Sequence, residues 1–343
     1  MKSVTTWLYS TETEAERVIH AAHQIGNGFF KINNFLVLPQ APLKSSANIV
    51  IFPKLNYKKV RRFWSRAAQI DIYKEPIVIE PRLKESVVKL LEEIGIEKPK
   101  YQKVKSLWQQ AETQVIKSIY QVLPDKKDSI KKITIKPSCF DTTCSFSRMS
   151  KNGEITIYLR QDQGIHTITE AIITSITRND IYDKLEGTWN ESEIITDYLV
   201  TQTAISKVLM KFESQKEYTP TLKGVRAKDV GHLSSVSEEY LKELEIPSFS
   251  NPFSLNGLIP EINKKPIENL SPKERMMMYT LIKNKNSIVT FDQIADILFN
   301  TYESYSLFAI SKAMQRLRDK IEQNEISGSF IQTVRGKGYL LRS

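Results

Sequence analysis

Phe330-Ile331-Gln332-Thr333-Val334, then Arg335-Gly336-Lys337-Gly338, then Tyr339-Leu340-Leu341: the chain closes on two apolar-rich runs joined by a turn with two glycines. That arrangement predicts a β-hairpin. Before it, Leu307–Ile321 carries Ile310, Met314, Leu317 and Ile321 at helical spacing, with Phe308, Ser311, Lys312, Gln315, Arg316 and Asp319 on the opposite face. Further back, Leu270-Ser271-Pro272-Lys273-Glu274 sets a serine N-cap, a first-turn proline and a Glu at the third helical position, opening a helix to about Asn284. Thr290 repeats the device for Phe291–Phe299, with Ile294 and Leu298 inward, and Asn300–Ser306 reads as a loop. Three helices and a terminal hairpin make a winged helix-turn-helix over 251–343.

The chemistry of this segment suits DNA. A helix with a polar outer face fits the major groove, where glutamine matches adenine and arginine matches guanine. A hairpin tip with two glycines lets an arginine approach the narrow groove or its phosphates. Residues 247–343 hold 13 Lys and Arg against 9 Asp and Glu, and the whole chain is +10. That balance favours a polyanion, nucleic acid before a membrane. On the presumed surface Lys312, Arg316, Arg318, Arg335 and Lys337 stand against Asp319.

Three motifs, LSPKE, AMQRLRDKI and IQTVRGKGYLL, make residues 250–343 resemble the OmpR/PhoB-type response-regulator effector domain. The preceding PFSLNGLIPEINKKPIENLS resembles the small antiparallel sheet of that family. The resemblance implies sequence-specific control of transcription on double-stranded DNA. It places Ser311, Lys312, Gln315, Arg316, Arg318, Thr333, Arg335 and Lys337 at the DNA, with Gln315 and Arg316 near bases and Arg335 at the minor groove. It also implies tandem, dimer-like binding to repeats, and RNA polymerase as a partner of the loop that holds Tyr302 and Tyr305. Phe308 and Asp319 depart from the family pattern, so base preference does not transfer. An adaptor whose winged helix binds protein is the competing reading of the same face.

The usual companion of this domain is a phosphoacceptor receiver, which needs an acidic pair after its first strand. Here the first aspartate is Asp71, and glutamates such as Glu12 and Glu14, not aspartates, follow the first strand candidate. A receiver is excluded on chemical grounds. The chain is instead expected to be a multidomain α+β protein. An N-terminal α/β domain (1–95) holds strands at Val4–Tyr9, Asn48–Phe52 and Ile77–Glu80, with helices at Thr11–Ile25 and Arg82–Glu93. A central α+β domain (96–212) has a helix over 100–123, strands at Lys132–Lys136 and Glu154–Arg160, and helices at His166–Arg178 and Glu191–Phe212. A polar connector (213–250) carries one short helix at Ser237–Leu244.

The element order of 100–212 resembles a degenerate zincin metallopeptidase core. Such enzymes grip zinc with two histidines one helical turn apart around a glutamate that activates water. Glu170, Glu193 and Asp197 match, whereas Thr169 and Ile173 occupy the positions of the histidines. The resemblance therefore implies an inactive domain, with no catalytic residue, metal or cofactor, that serves as a scaffold or as a pocket for a peptide or small-molecule effector. A DNA-targeted enzyme with a catalytic central domain is the alternative. His20 and His23, three apart, read as ordinary packing histidines. Cys139 and Cys144 are too few for a disulfide scaffold, and a thiol switch is the lesser reading of them. The run Lys58–Trp64 mixes basic and aromatic residues, for which nucleic-acid contact is the lesser reading and the exposed side of a helix with buried aromatics the commoner one. With no apolar leader and no stretch long enough to span a bilayer, a cytoplasmic, bacterial regulator without a membrane partner is expected.

Overall fold

The computed structural model describes residues 4–33, 35–40, 49–70, 77–184, 189–213, 230–246, 252–299, 306–324, 328–334 and 336–342. The chain divides into two units: Met1–His23, Phe35–Ile70 and Lys74–Glu245 form the first, and Gln24–Asn34, Asp71–Tyr73 and Ile246–Ser343 the second. No helix among the described residues is long and apolar enough to cross a membrane.

Up to Glu245 the elements run β1 (Thr5–Trp7), α1 (Thr11–Gly26), α2 (Phe29–Ile32), β2 (Leu36–Leu38), β3 (Ile49–Ile51), α3 (Phe63–Ala68), α4 (Pro81–Glu93) and α5 (Gln102–Val122). They continue as β4 (Lys132–Ser138), β5 (Cys144–Phe146), β6 (Glu154–Arg160), α6 (Ile165–Asn179), α7 (Trp189–Gln202), α8 (Ala204–Leu209) and α9 (Val230–Glu243). The main sheet has the order β1-β4-β6-β5, with β5 the antiparallel edge of a parallel set. β2 and β3 pair in parallel as a separate ribbon.

Strict alternation in β4 and β6 gives the sheet two different faces. Ile133, Ile135, Ile155, Ile157 and Leu159 turn one way into a core with Trp108, Ile116 and Ile119 of α5 and Ile168, Ile172 and Ile173 of α6. The other face is polar and packs on α1. There Lys136 Nζ and the Tyr158 hydroxyl donate to Glu16 Oε2 at 3.2 and 2.9 Å, and the Arg17 guanidinium lies 4.8 Å above the Tyr158 ring. Beyond the end of β4, fully buried Asp141 takes Arg17 at 2.5 Å and His20 Nδ1 at 2.7 Å. Burial opposes ionisation of Asp141, but Arg17 and His20 outweigh it and hold the carboxyl below its ordinary range.

Several expectations shift here. β1 joins the sheet of β4 and β6 and is fastened by Glu112 of α5, which accepts from Val4 N at 3.0 Å and the Thr5 hydroxyl at 2.7 Å. A boundary near residue 95 therefore cuts through one sheet. The strand expected at Ile77–Glu80 is absent: Ile77 and Val78 are exposed, and Glu80 receives two N–H groups of Arg66 at 2.8 Å each. The single helix expected over Glu191–Phe212 breaks at Thr203, whose hydroxyl caps α8 by accepting from Ile205 N at 3.3 Å. The connector is partly structured. α9 begins at Val230 and joins the ribbon, with Ser237 Oγ accepting from Val37 N at 2.9 Å and the Tyr240 hydroxyl donating to Phe52 O at 2.7 Å.

From residue 252 on, the second unit continues with an antiparallel sheet, β7 (Phe253–Asn256), β8 (Ile259–Ile262) and β9 (Lys265–Pro266). Then come α10 (Pro272–Lys283), β10 (Ile288–Thr290), α11 (Phe291–Leu298), α12 (Leu307–Gln323), β11 (Ile331–Val334) and β12 (Gly338–Leu341). Both expected capping boxes form: Ser271 Oγ takes Glu274 N at 3.3 Å, and Thr290 Oγ1 takes Gln293 N at 3.3 Å. Ile310, Met314, Leu317 and Ile321 are fully buried against Met277, Met278 and Leu281 of α10 and Ile294 of α11. The hairpin gains a third strand, β10, in the order β10-β12-β11.

Candidate nucleic-acid interface

Because one stripe of α12 is consumed by the core, its opposite stripe must face outward. Phe308, Ser311, Lys312, Arg316 and Asp319 are exposed there. Gln315 is half-buried and donates through Nε2 to Asp319 Oδ1 at 2.9 Å. That leaves the amide with its carbonyl oxygen and one N–H, the pair that matches the N6–H and N7 of adenine. Asp319 thus orients the Gln315 amide. The i,i+4 spacing of the two residues is visible in sequence, although their bond is not.

Arg318 behaves differently from its neighbours. Its Nε and Nη2 donate to Ile331 O at 3.0 and 2.9 Å, and Nη2 also donates to the Thr333 hydroxyl at 2.9 Å. The guanidinium lies 5.7 Å from the Tyr339 ring centre, and burial lowers its pKa. It is tied to the wing, and Thr333 receives it. At the tip, Gly336 adopts φ +72° and Lys337 is exposed, while Arg335 lies outside the described residues, as do Tyr302 and Tyr305. The outer face of α12 and the exposed tip therefore carry Lys312, Arg316 and Lys337, flanked by Ser311 and Gln315.

Residues 264–341 match the family model described as transcriptional regulatory protein, C terminal. This segment is an OmpR/PhoB-type DNA-binding domain. The match takes in β9, α10–α12 and the wing, and leaves out β7 and β8. No curated protein matches the chain. The regulatory-protein domain covers the helix and hairpin that the sequence motifs marked.

In the first unit, the metallopeptidase-like positions fall on α6 and α7. The Thr169 hydroxyl is spent on Ile165 O at 2.9 Å, and Ile173 is fully buried in the apolar core. Burial raises the Cys144 thiol, and the charges of Glu170 and Glu193 add to the rise. Burial is the larger cause for Cys144, outweighing Arg17 and pushing the thiol up to about 12; Cys139 is also raised to about 12, by burial and then Glu14. Thiols so shifted are protonated at neutral pH and slow to react, which speaks against a switch. His20 is engaged by Asp141 and His23 by Ala67 O at 3.0 Å. Among the described residues no three His, Cys, Asp or Glu are grouped to hold a metal. The aromatics of Lys58–Trp64 are buried, while Lys58 and Lys59 pair with Glu245 and Glu93 at 2.8 and 2.6 Å.

A feature with no sequence signal is the anchoring of α6. Glu213 accepts from Ile165 N at 2.8 Å, from His166 N at 3.3 Å and, through a short contact, from His166 Nδ1. A carboxylate at a helix N-terminus satisfies its free N–H groups and opposes the helix dipole. Gly164 makes room for it, since a Cβ there would lie 2.1 Å from Glu213 Oε1.

Proposed function

We propose that this protein is a sequence-specific transcription regulator in which α12 reads the major groove, the wing grips the minor groove and backbone, and the first unit supplies control without a receiver. The observation that carries the reading is the outward stripe Ser311, Lys312, Gln315, Arg316 beside a wing that Arg318 ties to the same helix. Gln315 and Arg316 read bases, Lys312, Lys337 and Arg335 meet phosphate or the narrow groove, and Arg318 positions the wing. Binding in tandem, contact with RNA polymerase and a cytoplasmic location follow from the same reading. The effector is a peptide or small molecule sensed by the first unit.

The test is binding of variants to a preferred and a random duplex at several salt concentrations. Gln315→Ala or Arg316→Ala is expected to cost roughly 1–3 kcal/mol on the preferred duplex and much less on the random one. Lys337→Ala is expected to weaken both evenly and to reduce the salt slope by about one unit. An unchanged preference after both helix substitutions rejects α12 as the reading element.

The first unit is proposed to be non-catalytic. Thr169 and Ile173 offer no zinc-binding nitrogen where a peptidase needs two. Purified protein is therefore expected to carry no stoichiometric zinc and to cleave no peptide library. One equivalent of zinc that Glu193→Ala releases would reverse that assignment.

A further inference from the structure

Charge and hydrogen bonding leave one side chain of the outward stripe unexplained. Phe308 stands in the first turn of α12 and is 71% exposed. A lone exposed aromatic carries no message by itself. This one is not alone: one turn on, Lys312 Nζ lies 5.7 Å from the ring centre, and Gln315 and Arg316 continue the face. The first residues of a recognition helix are those that reach base edges. In the major groove the one apolar group on offer is the C5 methyl of thymine. A phenyl ring has no donor or acceptor with which to read the other groups there. The two cations that follow it on the helix complement phosphate, so the charge around the ring fits a duplex better than an apolar protein surface.

We propose that Phe308 is a specificity-determining residue that packs on the C5 methyl of a thymine, making a T·A pair a requirement at the position met by the first turn of α12. The inference rests on the reading of α12 as the recognition helix.

The experiment separates the two readings. The intact chain selects its preferred duplex from a random-insert pool, and each thymine of that duplex is then replaced singly by deoxyuridine. This exchange removes one methyl and keeps every hydrogen-bonding group of both grooves. Loss of one buried methyl is expected to weaken binding about fourfold at one or two positions. Phe308→Ala, a surface change that spares the core, is expected to bind the thymine duplex at least about fourfold more weakly and to bind thymine and uracil versions alike. If a preferred duplex emerges but every replacement is silent, or if Phe308→Ala keeps the full sensitivity, the role of Phe308 is overturned and the DNA reading stands. If no duplex is enriched, both fall.

Discussion

Asp141→Asn is expected to destabilise the first unit by ~3–5 kcal/mol, the cost of leaving a buried charge without its partner. The carboxylate is fully buried, and Arg17, at 2.5 Å, is almost as deeply buried. Arg17 already has one buried nitrogen, Nε, without a partner. Asparagine keeps the size of aspartate and tolerates the φ of +70° at this position, so the loss reports the charge and not the backbone. The effect carries a sign in pH. The folded carboxyl is held below its ordinary value, so its contribution is present at neutral pH and is lost as pH falls through the folded value. Wild type is thus expected to lose stability on the acid side, with a shallower decline in the variant.

The measurement is urea unfolding followed by tryptophan fluorescence. All four tryptophans, Trp7, Trp64, Trp108 and Trp189, belong to the first unit, so the signal excludes the second. Pairing Asp141→Asn with Arg17→Met removes both charges and is expected to recover a large part of the loss. A variant as stable as wild type at pH 7 would show that the pair contributes nothing.

Gly338→Ala is the second large effect, expected at roughly 2–4 kcal/mol in the second unit, with DNA affinity lost alongside. Gly338 lies opposite both Thr290 of β10 and Val334 of β11. A Cβ there would sit 2.1 Å from Val289 O and 2.8 Å from Thr290 Cα, and those atoms are backbone that cannot step aside. The chain would have to separate β12 from β10, and with it the wing from the N-cap of α11. Gly336→Ala is the matched control. Its φ of +72° strains an alanine, but no atom lies within 4 Å of the new Cβ, so about 1 kcal/mol is expected. Amide exchange across β10 and β12 and DNA binding are the readouts, while the tryptophan transition of the first unit stays put. Equal damage from the two substitutions would place the importance of the turn in its backbone angles and not in the contact with β10.

These two sites differ in how they were legible. The winged helix could be read in advance because its signals are local: capping boxes at Ser271 and Thr290, one apolar stripe on α12, a turn with two glycines. Local signals depend on near neighbours in sequence, and the helices began within a residue of where they were expected. The outward positions of α12 followed from the same periodicity. What periodicity could not tell is which outward residue bends away to a neighbour. Arg318 and Arg316 look alike in sequence, yet Arg318 is committed to Ile331 O, 13 residues on.

In the first unit β4 and β6 read as alternating runs and β1 as a short buried strand, but β5 went unforeseen and no strand's partner could be read. β1 pairs with β4 across more than a hundred residues, and Asp141 meets Arg17 and His20 over a similar span. Alternation reports that one face of a strand is apolar; it is silent on whether the polar face meets water or a helix such as α1. Sequence by itself determined the type of the C-terminal domain and the residues that face outward from its third helix. Tertiary structure alone decided that residues expected to form two domains share one sheet, that α9 belongs to the fold, and that charged groups lie inside it, because each depends on contacts between residues far apart in the chain.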